Sequence, residues 1–216
     1  MIQFKLSLQS LIDKPTELLE LINDCLKPKE IEKKQFGEVF TPMNLVNDML
    51  DKLPDDVWKN KNLKWFDPAN GMGNFPIAVY LRLIKNFDKK HILENMLYMS
   101  ELNKKNVMIC KQIFDINNEY KLNLYNGDSL KLDIEKEWNI KQFDIIIGNP
   151  PYNKGGIRSC SRKKLGEKNE TIWTNFVKKS FEWLKSDGYL LFITPLCWLK
   201  KSNSVHNKIL ETHIIW

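Results

Sequence analysis

The residues with the clearest chemistry are Asn149, Pro150, Pro151 and Tyr152, which come directly after the apolar run Ile145-Ile146-Ile147-Gly148. Asn149 carries an amide oxygen that accepts a hydrogen bond from an amino group, and Pro150, lacking an N–H, presents only a carbonyl as a second acceptor. Pro151 biases Pro150 towards extended backbone and stiffens the loop. Tyr152 adds a π face on which a planar base can stack. The four suit a planar molecule bearing an exocyclic NH2. A Pro-Pro turn alone is common in loops, so the rest of the chain decides its meaning.

Three acids give that context. Asp67 ends the segment Leu63-Lys64-Trp65-Phe66 and opens the stretch Asp67-Pro68-Ala69-Asn70-Gly71-Met72-Gly73-Asn74-Phe75. Gly71 and Gly73 let the backbone pass close to a ligand. An acid at this strand end argues against a diphosphate and for a cation, an ammonium or a sulfonium. Glu101 ends Leu97-Tyr98-Met99-Ser100. It can hold a ribose diol, although it lies beyond the usual spacing of about 20 residues from the glycine turn. Asp128, beside Ser129 and after Leu122-Asn123-Leu124-Tyr125, can accept from an adenine amino group. Each acid alone reads as a turn residue. At three consecutive strand ends of a βαβαβ pattern they share one crevice.

The elements that must position these residues read as α/β. Helices pass through Phe75, Ala78, Val79 and Leu83, and through Val107, Cys110, Ile113 and Phe114, each with one apolar face. A further helix passes through Trp173, Phe176, Val177, Phe181 and Leu184, with Asp187-Gly188 predicted to stop it. A fifth strand is expected at residues 189–194. Pro195 and Trp198 begin a loop or helix, and Ile214-Ile215-Trp216 reads as the start of another strand. Upstream, Thr41 is the expected N-cap and Pro42 the first residue of a helix whose apolar face holds Leu45, Val46, Met49, Leu50 and Leu53. A helix N-terminus with a Thr hydroxyl suits a carboxylate ligand. Residues 1–32 read as a helical lead-in that packs on a main domain over residues 33–216, with Leu18, Leu19, Ile22, Cys25 and Leu26 at helical spacing.

The 216 residues carry a net charge of +6, which permits a polyanionic partner without identifying one. Arginine occurs only at Arg82, Arg158 and Arg162, so part of the lysine excess is compositional bias. Lys154, Arg158, Arg162, Lys163 and Lys164 lie close behind Tyr152. They read either as a solvated surface loop or as phosphate contacts on a nucleic acid, and adjacency to Tyr152 favours the second. Cys25, Cys110, Cys160 and Cys197 lie far apart, and neither they nor the three histidines show metal-ligand spacing. Reduced thiols in an intracellular protein are expected. No apolar stretch reaches the roughly 18 residues of a membrane span, and no signal-peptide pattern opens the chain.

Together these motifs resemble the catalytic half of the S-adenosylmethionine-dependent DNA adenine-N6 methyltransferases of modification and restriction-modification systems. Phe36-Gly37-Glu38-Val39-Phe40-Thr41-Pro42 resembles the family's methionine-binding motif. Residues 67–75 resemble its cofactor loop, and Asn149-Pro150-Pro151-Tyr152 its catalytic motif. Their order is itself characteristic. Asn70 and Met72 depart from the Cys and Ser the family often has. The resemblance implies a doubly wound Rossmann-like sheet with helices on both faces. It implies S-adenosyl-L-methionine as cofactor, bound by Phe40, Thr41, Pro42, Asp67, Ala69, Gly71, Gly73, Asn74, Phe75, Glu101, Asp128, Ser129 and Asn149. DNA is the implied partner. The residues after Trp198 hold neither the family's last strands nor its target-recognition domain, so a C-terminally incomplete catalytic domain with a specificity or completing partner chain is expected. A methyltransferase acting on a protein glutamine or an RNA base amino group, and a non-catalytic half that needs a partner chain, stand as alternatives.

Overall fold

The computed structural model of the chain describes residues 41–153 and 171–212, together with Glu17. Apart from Glu17, the expected lead-in over residues 1–32 lies outside the described residues, as do residues 36–40 of the upstream motif including Phe40, the basic residues Lys154, Arg158, Arg162, Lys163 and Lys164, and the expected strand at residues 214–216.

Five strands form one parallel sheet: β1 (Trp65–Asp67), β2 (Leu97–Glu101), β3 (Asn123–Asn126), β4 (Phe143–Gly148) and β5 (Leu184–Phe192). Their order is β3-β2-β1-β4-β5. The chain builds outward from β1 to β3, then crosses back to place β4 on the other side of β1. The junction of β1 and β4 is therefore the topological switch point, where open α/β sheets bind ligands. The helices are α1 (Met43–Leu50), α2 (Asn74–Leu83), α3 (Lys89–His91), α4 (Lys104–Phe114), α5 (Ile134–Trp138), α6 (Trp173–Trp183) and α7 (His206–Leu210).

Register explains why the strands read as continuous apolar runs. Trp65 lies beside Leu97 and Ile145, and Phe66 beside Tyr98 and Ile146. Successive side chains point to opposite faces. Trp65, Leu97, Met99, Ile145 and Ile147 pack on one face with Val46 and Leu50 of α1, Phe75 and Val79 of α2, and Cys110 and Phe114 of α4. Phe66, Tyr98, Phe143 and Ile146 pack on the other with Ile134 of α5 and Trp183 of α6. There the Phe66 ring stacks on Phe143 at 4.6 Å and meets Trp183 edge-on at 5.3 Å. A sheet covered on both faces needs apolar side chains at every position. Trp65 and Phe66 are both 0% exposed, and burying each is worth about 1.5–3 kcal/mol. They anchor the short strand that carries Asp67.

Two expectations are corrected. Asp187-Gly188 does not end the α6 helix. That helix stops at Trp183, and both residues lie inside the β5 span. Leu184 pairs with Phe143 while Tyr189 pairs with Ile145, so residues 185–188 bulge out of register. Lys185 anchors the bulge through an ion pair with Asp144 at 2.5 Å. Gly188 sits so close to the strand that a β-carbon there would stand 2.7 Å from the Asp144 carbonyl oxygen. Thr41 does not cap α1 either. Pro42 holds the N-cap position without any side-chain hydrogen bond, because the Thr41 hydroxyl is engaged elsewhere.

Candidate active site at the β1–β4 switch point

The carboxyl ends of β1, β2 and β4 carry Asp67, Glu101 and the Gly148-Asn149 pair. Asp67 is 2% exposed. Its Oδ1 accepts the Ala69 N–H at 3.0 Å, while its Oδ2 is buried with no hydrogen-bond partner among the described residues. Burial raises the Asp67 pKa well above the usual carboxylate range; the Ala69 N–H lowers it and the nearby Glu101 charge raises it further. The fold thus holds a buried acid whose second oxygen lacks compensation, and such a group is stabilised by a cation.

Behind Asp67 the chain turns sharply. Gly73 has φ +97°, donates its N–H to the Asn70 carbonyl at 2.8 Å and caps the start of α2. A β-carbon there would press on Cys110 Sγ at 3.3 Å. The same sulfur accepts from Asn70 Nδ2 at 3.0 Å, which ties the turn to α4. At Gly71 nothing among the described residues lies within 4 Å of the β-carbon position. Asn74 and Phe75 begin α2, where helix geometry leaves N–H groups unmatched. The Phe75 ring itself belongs to the core.

Glu101 joins the same turn. Its Oε2 accepts the Gly71 N–H at 2.8 Å and its Oε1 accepts the Asn103 N–H at 2.6 Å. The β2 acid therefore orients the loop after β1, a link that strand-by-strand reading does not reveal. Its carbonyl accepts the Gly127 N–H at 3.0 Å, bringing in the end of β3. Asp128 caps its own short turn, accepting the Leu130 N–H at 3.1 Å, with the Lys131 ammonium 3.8 Å away. The Ser129 hydroxyl is buried, bonded to Ser100 Oγ at 2.6 Å and to the Pro68 carbonyl.

The loop after β4 sits across the switch point. Asn149 Nδ2 donates to Thr41 Oγ1 at 3.2 Å, and Asn74 Nδ2 donates to the Thr41 carbonyl at 2.7 Å. Pro150 is buried, while Pro151 and Tyr152 are half-buried. The Tyr152 ring packs on a cluster of Trp173, Val177, Trp198 and Val205, and burial raises its phenol pKa. Thr41, Asn74 and Asn149 stand in three separate motifs of the sequence; the structure joins them. Leu102, directly after Glu101, is an apolar residue left 60% exposed. An apolar residue next to a strand-end acid was the signal available for it.

Among the described residues, no cluster of three or more His, Cys, Asp or Glu could hold a metal ion. No helix among them is long and apolar enough to cross a membrane.

A parallel β3-β2-β1-β4-β5 sheet with both faces covered is a Rossmann-like fold. The chain shares it with a putative class I S-adenosylmethionine-dependent methyltransferase from Listeria monocytogenes, with TM-score 0.57 and 19% identity over 92% of this chain and 58% of that one. The chain belongs to the Eco57I restriction-modification methylase family, whose model matches residues 77–215. Among curated relatives, an uncharacterized adenine-specific methylase of Mycoplasma pneumoniae is 25% identical over 89% of this chain. The type II methyltransferase M.AccI of Acinetobacter calcoaceticus is 27% identical over 85% of it. The chain spans 64% of the length of the first and 32% of the second.

Proposed function

We propose that this chain contributes the catalytic half of a DNA adenine-N6 methyltransferase of a restriction-modification system. The observation that carries the reading is the arrangement at the switch point: a buried Asp67 whose Oδ2 has no hydrogen-bond partner among the described residues, beside the glycine turn, with Asn149 across it. These residues fit S-adenosyl-L-methionine. Asp67 suits its sulfonium and ammonium charges. The N-terminus of α2 at Asn74 and Phe75 suits its carboxylate. Glu101, oriented by Gly71 and Asn103, would hold the ribose hydroxyls. Leu102 would lie against the adenine ring and Asp128 would accept from its amino group. Ala69, Gly71 and Gly73 would line the methionine side. Phe40, Thr41, Pro42 and Ser129 complete the proposed set, with the Ser129 hydroxyl bracing Pro68 from beneath.

The bound cofactor supplies an electrophilic methyl group. The protein does the rest. An adenine inside a duplex is out of reach and must be flipped out, at a cost of a few kcal/mol. Tyr152, held by Trp173 and Trp198, would stack on the extruded base. Asn149 Oδ1 and the Pro150 carbonyl would accept the two N6 hydrogens. Those bonds draw nitrogen electron density out of the ring and aim its lone pair at the methyl carbon. Catalysis then rests on orientation and on dipoles directed at developing positive charge. The basic residues Lys154, Arg158, Arg162, Lys163 and Lys164 would contact phosphates. In this reading a specificity or completing partner chain reads the target sequence.

Incubation of the chain with methyl-labelled cofactor and separate DNA, RNA and protein pools tests the substrate. Label in DNA adenine supports the proposal. Label in RNA or in protein glutamine replaces it with another amino-group acceptor for the same loop.

A further inference from the structure

Thr41 and Asn149 are 108 positions apart in the chain, yet their side chains bond at 3.2 Å. Thr41 is buried at 6% exposure, while Asn149 is only half-buried. Asn149 donates through Nδ2, which leaves its Oδ1 outside this bond as an acceptor. The Thr41 hydroxyl receives the Nδ2 proton and so fixes where the amide group sits; a Val side chain of the same outline cannot. Thr41 is in turn fixed from the other side, since Asn74 Nδ2 donates to its carbonyl at 2.7 Å. Asn74 is the first residue of α2 and comes directly after Gly73.

We infer that Thr41 is a positioning residue for Asn149, holding its amide group in place at the switch point and tying it through Asn74 to the glycine turn. This inference rests on the proposed amino-group methyl transfer. It differs from the expectation that Thr41 only holds the methionine end of the cofactor. The chain Asn74–Thr41–Asn149 makes the cofactor side and the acceptor side of the site one hydrogen-bonded unit. A shift of the turn moves the amide with it.

Two measurements on the full chain test this. In the 15N-labelled protein the Asn149 side-chain amide is assigned by its loss in Asn149→Asp. Thr41→Val is expected to move that resonance towards free amides and speed its exchange with water, and Thr41→Ser to restore both. An Asn149 amide signal and exchange rate unchanged in Thr41→Val would overturn the inference. In the second measurement, Thr41→Val lowers the transfer rate at saturating cofactor by about 10- to 100-fold, the scale of one misplaced polar group. Thr41→Ser recovers most of the rate. Lost cofactor affinity with an unchanged saturated rate would contradict it. If the wild-type chain transfers no label, the proposed function fails, and the amide resonance still decides whether Thr41 holds Asn149. If Thr41→Val does not fold, Asn74→Ala, which frees the Thr41 carbonyl and keeps its hydroxyl, is expected to shift the same resonance.

Discussion

A β-carbon on Gly148 would stand 2.7 Å from Oδ1 of Asp67. β4 thus ends where it does because a glycine, at φ +145°, lets the chain pass over the β1 acid and deliver Asn149 beside it. Gly148→Ala forces either the backbone or Asp67 to move. Strain of this kind costs about 1–3 kcal/mol. The expected result is a lower urea midpoint at unchanged slope, together with weaker cofactor binding by calorimetry.

Asp67 predicts a pH signature. Burial raises its folded pKa well above the ordinary value, which for an unfolded chain is about 3.9. Its contribution to stability is therefore complete below the unfolded value and is lost as pH rises through the raised folded one. Asp67→Asn removes the titration. The variant is expected to be more stable than wild type at neutral pH, with the gap closing as pH falls towards the ordinary carboxylate range. Urea titrations of both proteins across that range check it. A gap that widens on acidification would contradict the assignment.

Glu101 serves two N–H groups at once, those of Gly71 and Asn103. Glu101→Gln replaces one acceptor oxygen with an NH2 that meets another donor. Losing one hydrogen bond to a charged group costs about 1.5–3 kcal/mol. The variant should lose that much in urea unfolding, and calorimetry should show weakened S-adenosylmethionine binding because the glycine turn is no longer held. Glu101→Asp, too short to reach both N–H groups, should behave likewise.

The sheet was legible because its strands are apolar runs ending in residues of different character: Trp65-Phe66 in Asp67, Met99-Ser100 in Glu101, and Ile145-Ile146-Ile147 in Gly148. Burial on both faces demands those runs, and the strand ends interrupt them. The features that were not legible depend on contacts between distant segments. Thr41 has the composition of an N-cap, but its hydroxyl is used by Asn149, which only the fold brings near. Asp187-Gly188 has the composition of a helix stop, yet the Lys185–Asp144 ion pair and the tight fit of Gly188 on the Asp144 carbonyl place it in a strand bulge. Glu101 reads in sequence as a ligand-holding acid, while its bonds to the Gly71 loop become visible only with the β1–β2 pairing.

Asn149 acting on an adenine amino group is the central claim. The direct measurement is mass spectrometry of nucleosides from DNA incubated with S-adenosylmethionine and either the wild-type chain or Asn149→Ala, each alone and with a candidate specificity or completing chain. N6-methyladenine is expected with the wild type, and a loss of at least about 100-fold with the variant, the scale of one positioned acceptor lost from the reacting centre. N6-methyladenine formed at near wild-type rate by Asn149→Ala would contradict it.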